Sequence, residues 1–315
     1  MYEFPIGLTW FNVEKPLKLS DFKNKVIFVD FWTYSCINCI RTMPFLKEWY
    51  SKYKKYGFEI IGIHAPEFDF EHDAFNVENA IKYFKIDYPV VLDNQLKLWT
   101  IYNNHYWPAH YIFDREGKLR FTHFGEGEYE KTEEVIQNLL KEKGEDVKEV
   151  ITPIKLPVDF SRIGSPETYL GYKRIVGFAS PEELLPDIPQ KYSIPSDIKK
   201  NRVYFEGLWE IQGEKAILKG SLGKLVYRYS ANKVNLVMGI NEDFQNKKQI
   251  EACIFIDKQK LQIGNKGDDI DEKGCVNVQD HKLYNLINTH NYYEVHTCEI
   301  VFYDAGIEVF AFTFG

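Results

Sequence analysis

A chain of 315 residues is longer than one hydrophobic core usually supports, so two domains are expected. With 44% hydrophobic and 27% charged residues it is not too polar to collapse, and no apolar run approaches the roughly 20 residues of a membrane helix. A net charge of -7 with acids and bases interspersed leaves no basic stripe for phosphates, which excludes the usual nucleic-acid-binding classes.

The N-terminal stretch "MYEFPIGLTWFNVEKPLKLS" has no basic start followed by an apolar core and a small-residue cleavage site. The expected location is therefore the cytoplasm, or an extracytoplasmic one if an export segment precedes these residues. Residues 25–31 read as a buried strand, and residues 36–55 carry helical spacing, with Leu46, Trp49, Tyr50 and Tyr53 on one side. A strand at 58–66, a helix at 77–85 and a strand at 88–93 follow. "AHYIFDREGKLRFTHF" reads as two strands joined at "DREG", and 129–143 as an amphipathic helix. Strands alternating with helices predict an α/β sheet covered on both faces.

The composition then shifts. Seven of the 13 prolines fall between Pro153 and Pro195 (positions 153, 157, 166, 181, 186, 189 and 195), and none follows. Proline is excluded from sheet interiors, so 146–200 reads as a Pro-rich linker and irregular segment. Residues 201–315, with "KLVYRYSA", "KVNLVMGI", "ACIFID", "TCEIVFYD" and "IEVFAFTF", read as an all-β sandwich or jelly roll. The domains expected are 1–145, 146–200 and 201–315.

The chemistry concentrates in "VDFWTYSCINCIRTMP", residues 29–44. Cys36 falls at the first turn of the predicted helix, where unpaired N–H groups and the positive dipole end stabilise a negative sulfur; Cys39 is one turn on and within reach of a disulfide. A zinc site would need a second ligand pair, and His64 and His72 lack the spacing, so no metal is expected. Cys253, Cys275 and Cys298 lie in strand-like segments and read as buried thiols, with a Cys253–Cys298 disulfide as the other reading.

Asp30, Trp32, Cys36, Cys39, Pro44 and Pro108, in that order, resemble the thioredoxin pattern. "GIHAPEFDFEHD", "YPVVLDN" and "YWPAHYIFDREGKLRFTHFGEGEYEKTE" are similar to the thioredoxin-like portion of the DipZ proteins, relatives of the TlpA and ResA thiol reductases. "SPETYLGYKR", "LVYRYSANKVNLVMG" and "GIEVFAFTFG" resemble the β-sandwich appended to that portion, which itself resembles carbohydrate-binding modules. The resemblance implies a thiol:disulfide oxidoreductase that reduces protein disulfides, with a redox-active Cys36–Cys39 disulfide and no other cofactor. DipZ proteins carry a membrane-embedded, electron-importing domain ahead of these two, and no counterpart is seen here. An upstream thiol reductant, or a separate membrane electron-transfer protein, is expected as donor.

In that frame Cys36 is the nucleophile and Cys39 the resolving thiol. Asp30, a carboxylate in an apolar strand, would take a proton from Cys39 through water. Pro108 would be cis, leaving the Trp107 backbone free for an extended client. Trp32, Tyr34, His64 and Glu67 are candidate substrate contacts, with Glu71 and His72 on the same loop as Glu67. Trp209, Tyr227 and Tyr229 could stack on a sugar or form core.

Two other functions compete. Thr33, three residues before Cys36, suggests a peroxiredoxin-like peroxidase, although the proline such enzymes place four residues earlier is Val29 here. Alternatively the sandwich could be a binding module for carbohydrate or a protein partner.

Overall fold

In the first of two units, Met1–Lys155, the chain lays down strands β1 (Trp10–Phe11) and β2 (Val26–Trp32), helix α1 (Ile37–Tyr53), β3 (Phe58–His64), α2 (Ala74–Phe84) and β4 (Val90–Leu92). A short α3 (Lys97–Ile101), the hairpin β5 (Ala109–Phe113) and β6 (Leu119–Phe124), and α4 (Tyr129–Lys141) complete it. This computed structural model describes residues 1–142, 144–154, 158–244, 247–290 and 292–315. Among them no helix is long and apolar enough to cross a membrane.

The strand order is β1-β4-β3-β2-β5-β6, with β2, β3 and β4 parallel and β5 and β6 antiparallel to their neighbours. All residues of β2 and of β3 are buried, as befits strands covered on both faces. Ile27, Val29 and Phe31 point into one core with Ile61, Ile63, Val91 and Tyr111. Phe28, Asp30 and Trp32 therefore point the other way, where Phe28 meets Trp49 of α1 at a centroid distance of 5.7 Å. Helix α1 buries Cys39, Thr42, Met43, Leu46, Trp49, Tyr50 and Tyr53, the three-and-four spacing of a single face. Because β5 runs antiparallel to β2 and pairs Ala109 with Phe31, the residue before β5, Pro108, arrives beside the end of β2 where α1 starts. Topology alone thus brings two distant sequence segments to one sheet edge. The sequence pattern missed β1 and α3, which are too short to show periodicity.

The second unit, Leu156–Gly315, is strand-rich: β7 (Thr168–Tyr169), β8 (Gln190–Tyr192), β9 (Val203–Ile211), β10 (Ala216–Ser230), β11 (Lys233–Ile240), β12 (Ile250–Ile256), β13 (Gln259–Lys260), β14 (Cys275–Val278), β15 (Lys282–Asn288), β16 (Val295–Phe302) and β17 (Ile307–Phe314). They form one sheet that curls around its core in a sandwich-like way, and β10 is the strand that turns the corner. Its start pairs with β17 and its end, from Gly223, with β16, with a register shift between Leu218 and Gly223. A Cβ on Gly223 would lie 2.4 Å from Leu218 Cδ1, so a side chain at the bend would have to displace that leucine.

Three expectations change here. Residues 158–200 are not a separate linker but part of this unit: β7 and β8 pair with β17 and β9, and Phe178 and Pro186 make isolated bridges, so prolines between pairing residues are tolerated at the sheet margin. Pro157 lies outside the described residues. Cys253 is disulfide-bonded to Cys275, not to Cys298, because Cys253 and Cys275 face each other across β12 and β14, whereas Cys298 sits opposite Ile256; Cys298 alone remains a buried thiol. Trp209, Tyr227 and Tyr229 are fully buried and belong to the core, so they offer no sugar platform.

Glu308 of β17 is also buried, yet it accepts from Asn241 at 2.9 Å, pairs with Lys215 at 2.8 Å and meets the His281 ring. Burial alone would raise its pKa; His281, Lys215 and Asn241 outweigh burial and bring it from 4.5 to about 2. A depressed carboxylate stabilises the fold above its unfolded pKa, and that stability is lost as pH falls from about 4.5 through 2. The lost stability is on the order of 3 kcal/mol. Acid unfolding of Glu308→Gln should lack this segment of the pH slope, and an unchanged slope would show that the carboxylate is not so held.

Candidate active site

Cys36 is the N-cap of α1, with extended backbone (φ -77, ψ 117), and the Cys39 amide donates to its Sγ at 3.4 Å. Cys36 is partly exposed, whereas Cys39, one turn on, is 1% exposed; both are free thiols. Burial, then the neighbouring Cys36 and the Asp30 carboxylate, push the Cys39 thiol well above the usual range. The Trp107–Pro108 peptide is cis, and Cys36 Sγ lies 3.9 Å from the Trp107 carbonyl oxygen. The accessible sulfur, the buried sulfur and the open loop backbone are therefore brought together as the spacing suggested.

Beneath them Asp30 is 2% exposed, with His110 Nε2 3.3 Å from its Oδ1. Trp107 packs on Trp99 at 4.3 Å and donates its indole N–H to the Ala65 carbonyl at 2.9 Å. Beside it Tyr106 and Phe124 are about half exposed, with centroids 5.3 Å apart.

Trp32, Tyr34 and His64 do not line a groove. All three are buried: His64 meets the Trp32 ring edge-on at 5.2 Å and stacks with Tyr34 at 5.7 Å, so they support the site from below. Burial first, then His72, lowers the His64 pKa to about 3. Its Nε2 lies 3.3 Å from Thr33 Oγ1, which is itself buried. Glu67 stays partly exposed, and its amide N–H donates to Glu71 at 2.7 Å. Glu71 is the stronger member of that loop: fully buried, it accepts from Ser35 N at 3.3 Å, Ser35 Oγ at 2.6 Å and Phe68 N at 3.0 Å as well. It ties the residue before Cys36 to the loop after β3, and burial nonetheless raises its pKa.

Sequence reasoning passed over His110, Tyr106 and Phe124. A histidine inside the apolar strand "AHYIF", two residues past the proline, was the available signal. Among the described residues, the carboxylate of Glu251 and the sulfurs of Cys253 and Cys275 cluster closely, but both sulfurs are committed to the disulfide.

Residues 8–122 match the AhpC/TSA family, and residues 165–315 match the thioredoxin-like C-terminal domain family. Protein DipZ of Mycobacterium tuberculosis is 34% identical over 241 residues, which is 74% of this chain and 34% of that protein. The thiol-disulfide oxidoreductase ResA of Bacillus cereus is 33% identical over 125 residues, 40% of this chain and 69% of ResA. The chain belongs to the thioredoxin-like thiol-disulfide oxidoreductases. This oxidoreductase spans about a third of the length of the DipZ relatives it matches. Among solved structures, the exposed lipoprotein thioredoxin of Streptococcus pneumoniae is 29% identical, covering 41% of this oxidoreductase and 92% of that chain, with a TM-score of 0.34.

Proposed function

We propose that the protein reduces disulfides of client proteins by dithiol–disulfide exchange. The observation that carries this is the unequal burial of the two sulfurs: Cys36 is reachable at the helix start, and Cys39 is not. Cys36 attacks one sulfur of the client disulfide, the other client sulfur leaves as a thiolate, and a mixed disulfide forms. Cys39 then gives up its proton and attacks Cys36 Sγ, releasing the second client thiolate and leaving Cys36–Cys39 oxidised. Two electrons pass to the client, and an upstream thiol reductant restores the dithiol. The partly exposed Trp107, with Tyr106 and Phe124 nearby, offers an extended client both backbone and apolar contact. Thr33, buried on His64, is not disposed toward the peroxidase alternative.

The test is insulin reduction with dithiothreitol as donor, together with the reduction potential of the Cys36/Cys39 pair. Insulin should be reduced, the potential should fall near or below about -270 mV, and hydrogen peroxide should be consumed slowly. A potential near about -120 mV would make the protein an oxidant, and rapid peroxide turnover would make it a peroxidase.

A further inference from the structure

Asp30, His110 and His123 stand side by side across the first sheet. In the strand registers Asp30 of β2 pairs with His110 of β5, and His110 pairs with His123 of β6. Directly opposite residues share a face, so this row runs from beneath the cysteine pair to the edge strand β6. Asp30 Oδ1 and His110 Nε2 approach to 3.3 Å, both side chains are at most 3% exposed, and neither atom has a hydrogen-bond partner of ordinary geometry among the described residues. Two facing buried polar atoms, one a carboxylate oxygen and one an imidazole nitrogen, are satisfied together only when a proton lies between them.

We propose that Asp30 and His110 act as a single proton acceptor for Cys39, with His110 as the positioning residue that keeps the Asp30 carboxylate able to take the proton. This rests on the exchange chemistry proposed above. Before resolution the pair carries one negative charge, shared as a carboxylate accepting from the imidazole N–H. When Cys39 attacks Cys36 Sγ, its S–H bond breaks and the proton passes to the pair, directly or through one water. The pair becomes neutral overall, and the charge leaves with the client thiolate. Without His110, Asp30 Oδ1 would be a buried oxygen with no donor facing it, and the carboxylate would lose the group that holds it in place beneath Cys39.

The groups facing the pair are Cys39 from α1, Tyr88 from the segment before β4, the Phe28 ring at 5.0 Å from His110, and His123. The His123 ring stacks on His110 at 5.8 Å, and its Nδ1 lies 3.5 Å from Glu128, with Lys131 beyond. Burial, then His110, lowers the His123 pKa. His123 stacks behind His110 and faces Glu128 rather than Asp30.

The experiment is the pH profile of single-turnover oxidation of the reduced protein, both units present, by insulin, followed by tryptophan fluorescence, for the wild type, His110→Leu and His110→Gln. His110→Leu should lose about tenfold in rate near pH 6–7 and recover toward the wild-type rate as pH rises, because solvent base then takes the Cys39 proton without the pair. His110→Gln, which keeps a donor to Asp30 but cannot titrate, should fall between. Profiles that differ only by a constant factor at every pH, or not at all, overturn the proposal and leave the exchange reading intact. A wild type that does not react with insulin overturns the exchange reading and this inference together. If His110→Leu does not fold, histidine side-chain NMR of the wild type decides: the His110 ring resonances should move between oxidised and reduced protein while those of His64 stay put. His110 ring resonances indifferent to redox state overturn the proposal.

Discussion

Cys39→Ser should turn the protein into a covalent trap. The Cys36 sulfur would still open a client disulfide, but the buried position one turn on would hold a hydroxyl that cannot displace it. Multiple turnover of insulin should fall by at least about a thousandfold, and a one-to-one mixed disulfide should persist on non-reducing electrophoresis until a reductant is added. Cys36→Ser should lose turnover to the same extent without any adduct. The asymmetry between the two variants is the diagnostic feature. If Cys36→Ser formed the adduct and Cys39→Ser did not, the assignment of attacking and resolving sulfur would be reversed.

Glu71→Ala should have the largest effect of any change outside the cysteine pair. One carboxylate oxygen receives Ser35 N and Ser35 Oγ, and the other receives Glu67 N and Phe68 N. Alanine would leave these donors, several of them buried, without an acceptor, at a cost of about 2–4 kcal/mol. Glutamine should restore only part of this, because its NH2 group would face one of the two donor pairs. Urea unfolding checks the stability loss, and insulin turnover should drop about tenfold or more, since Ser35 sets the entry of Cys36 into α1. A midpoint unmoved in either variant would show that the loop after β3 is held by its backbone alone.

Much of this was legible in the chain itself. The strand, the Cys36/Cys39 spacing and the following helix all carry local signals, and the match of Asp30 and Pro108 to a known pattern placed them at the site before any coordinate did. What stayed hidden depends on register. Nothing in "AHYIF" says that its histidine stands across from Asp30, because that pairing is set by how far β5 slides along β2. The same reason made Cys275 invisible as the partner of Cys253, since the partner is chosen by strand pairing across a separation of 22 residues. Trp32 and Tyr34 show another limit: an aromatic residue next to a reactive cysteine can serve as its floor as well as its groove, and only burial distinguishes the two.

The Cys253–Cys275 bond changes how electrons must be counted. A chain with five cysteines and one such crosslink holds two electron-pair stores of unlike access: a dithiol with one sulfur toward solvent, and a bond whose sulfurs belong to residues at most 5% exposed. Thiol titration of the folded, reduced enzyme should therefore be led by Cys36, with the buried thiol of Cys298 appearing on unfolding and the crosslinked sulfurs only after unfolding and reduction. Closing that loop also removes chain freedom from the unfolded state, by about 3 kcal/mol at this length. Strong reductant used to recharge the active site would, given time, erode the stability of the other unit, so redox buffers for this protein have to be chosen for selectivity as well as strength.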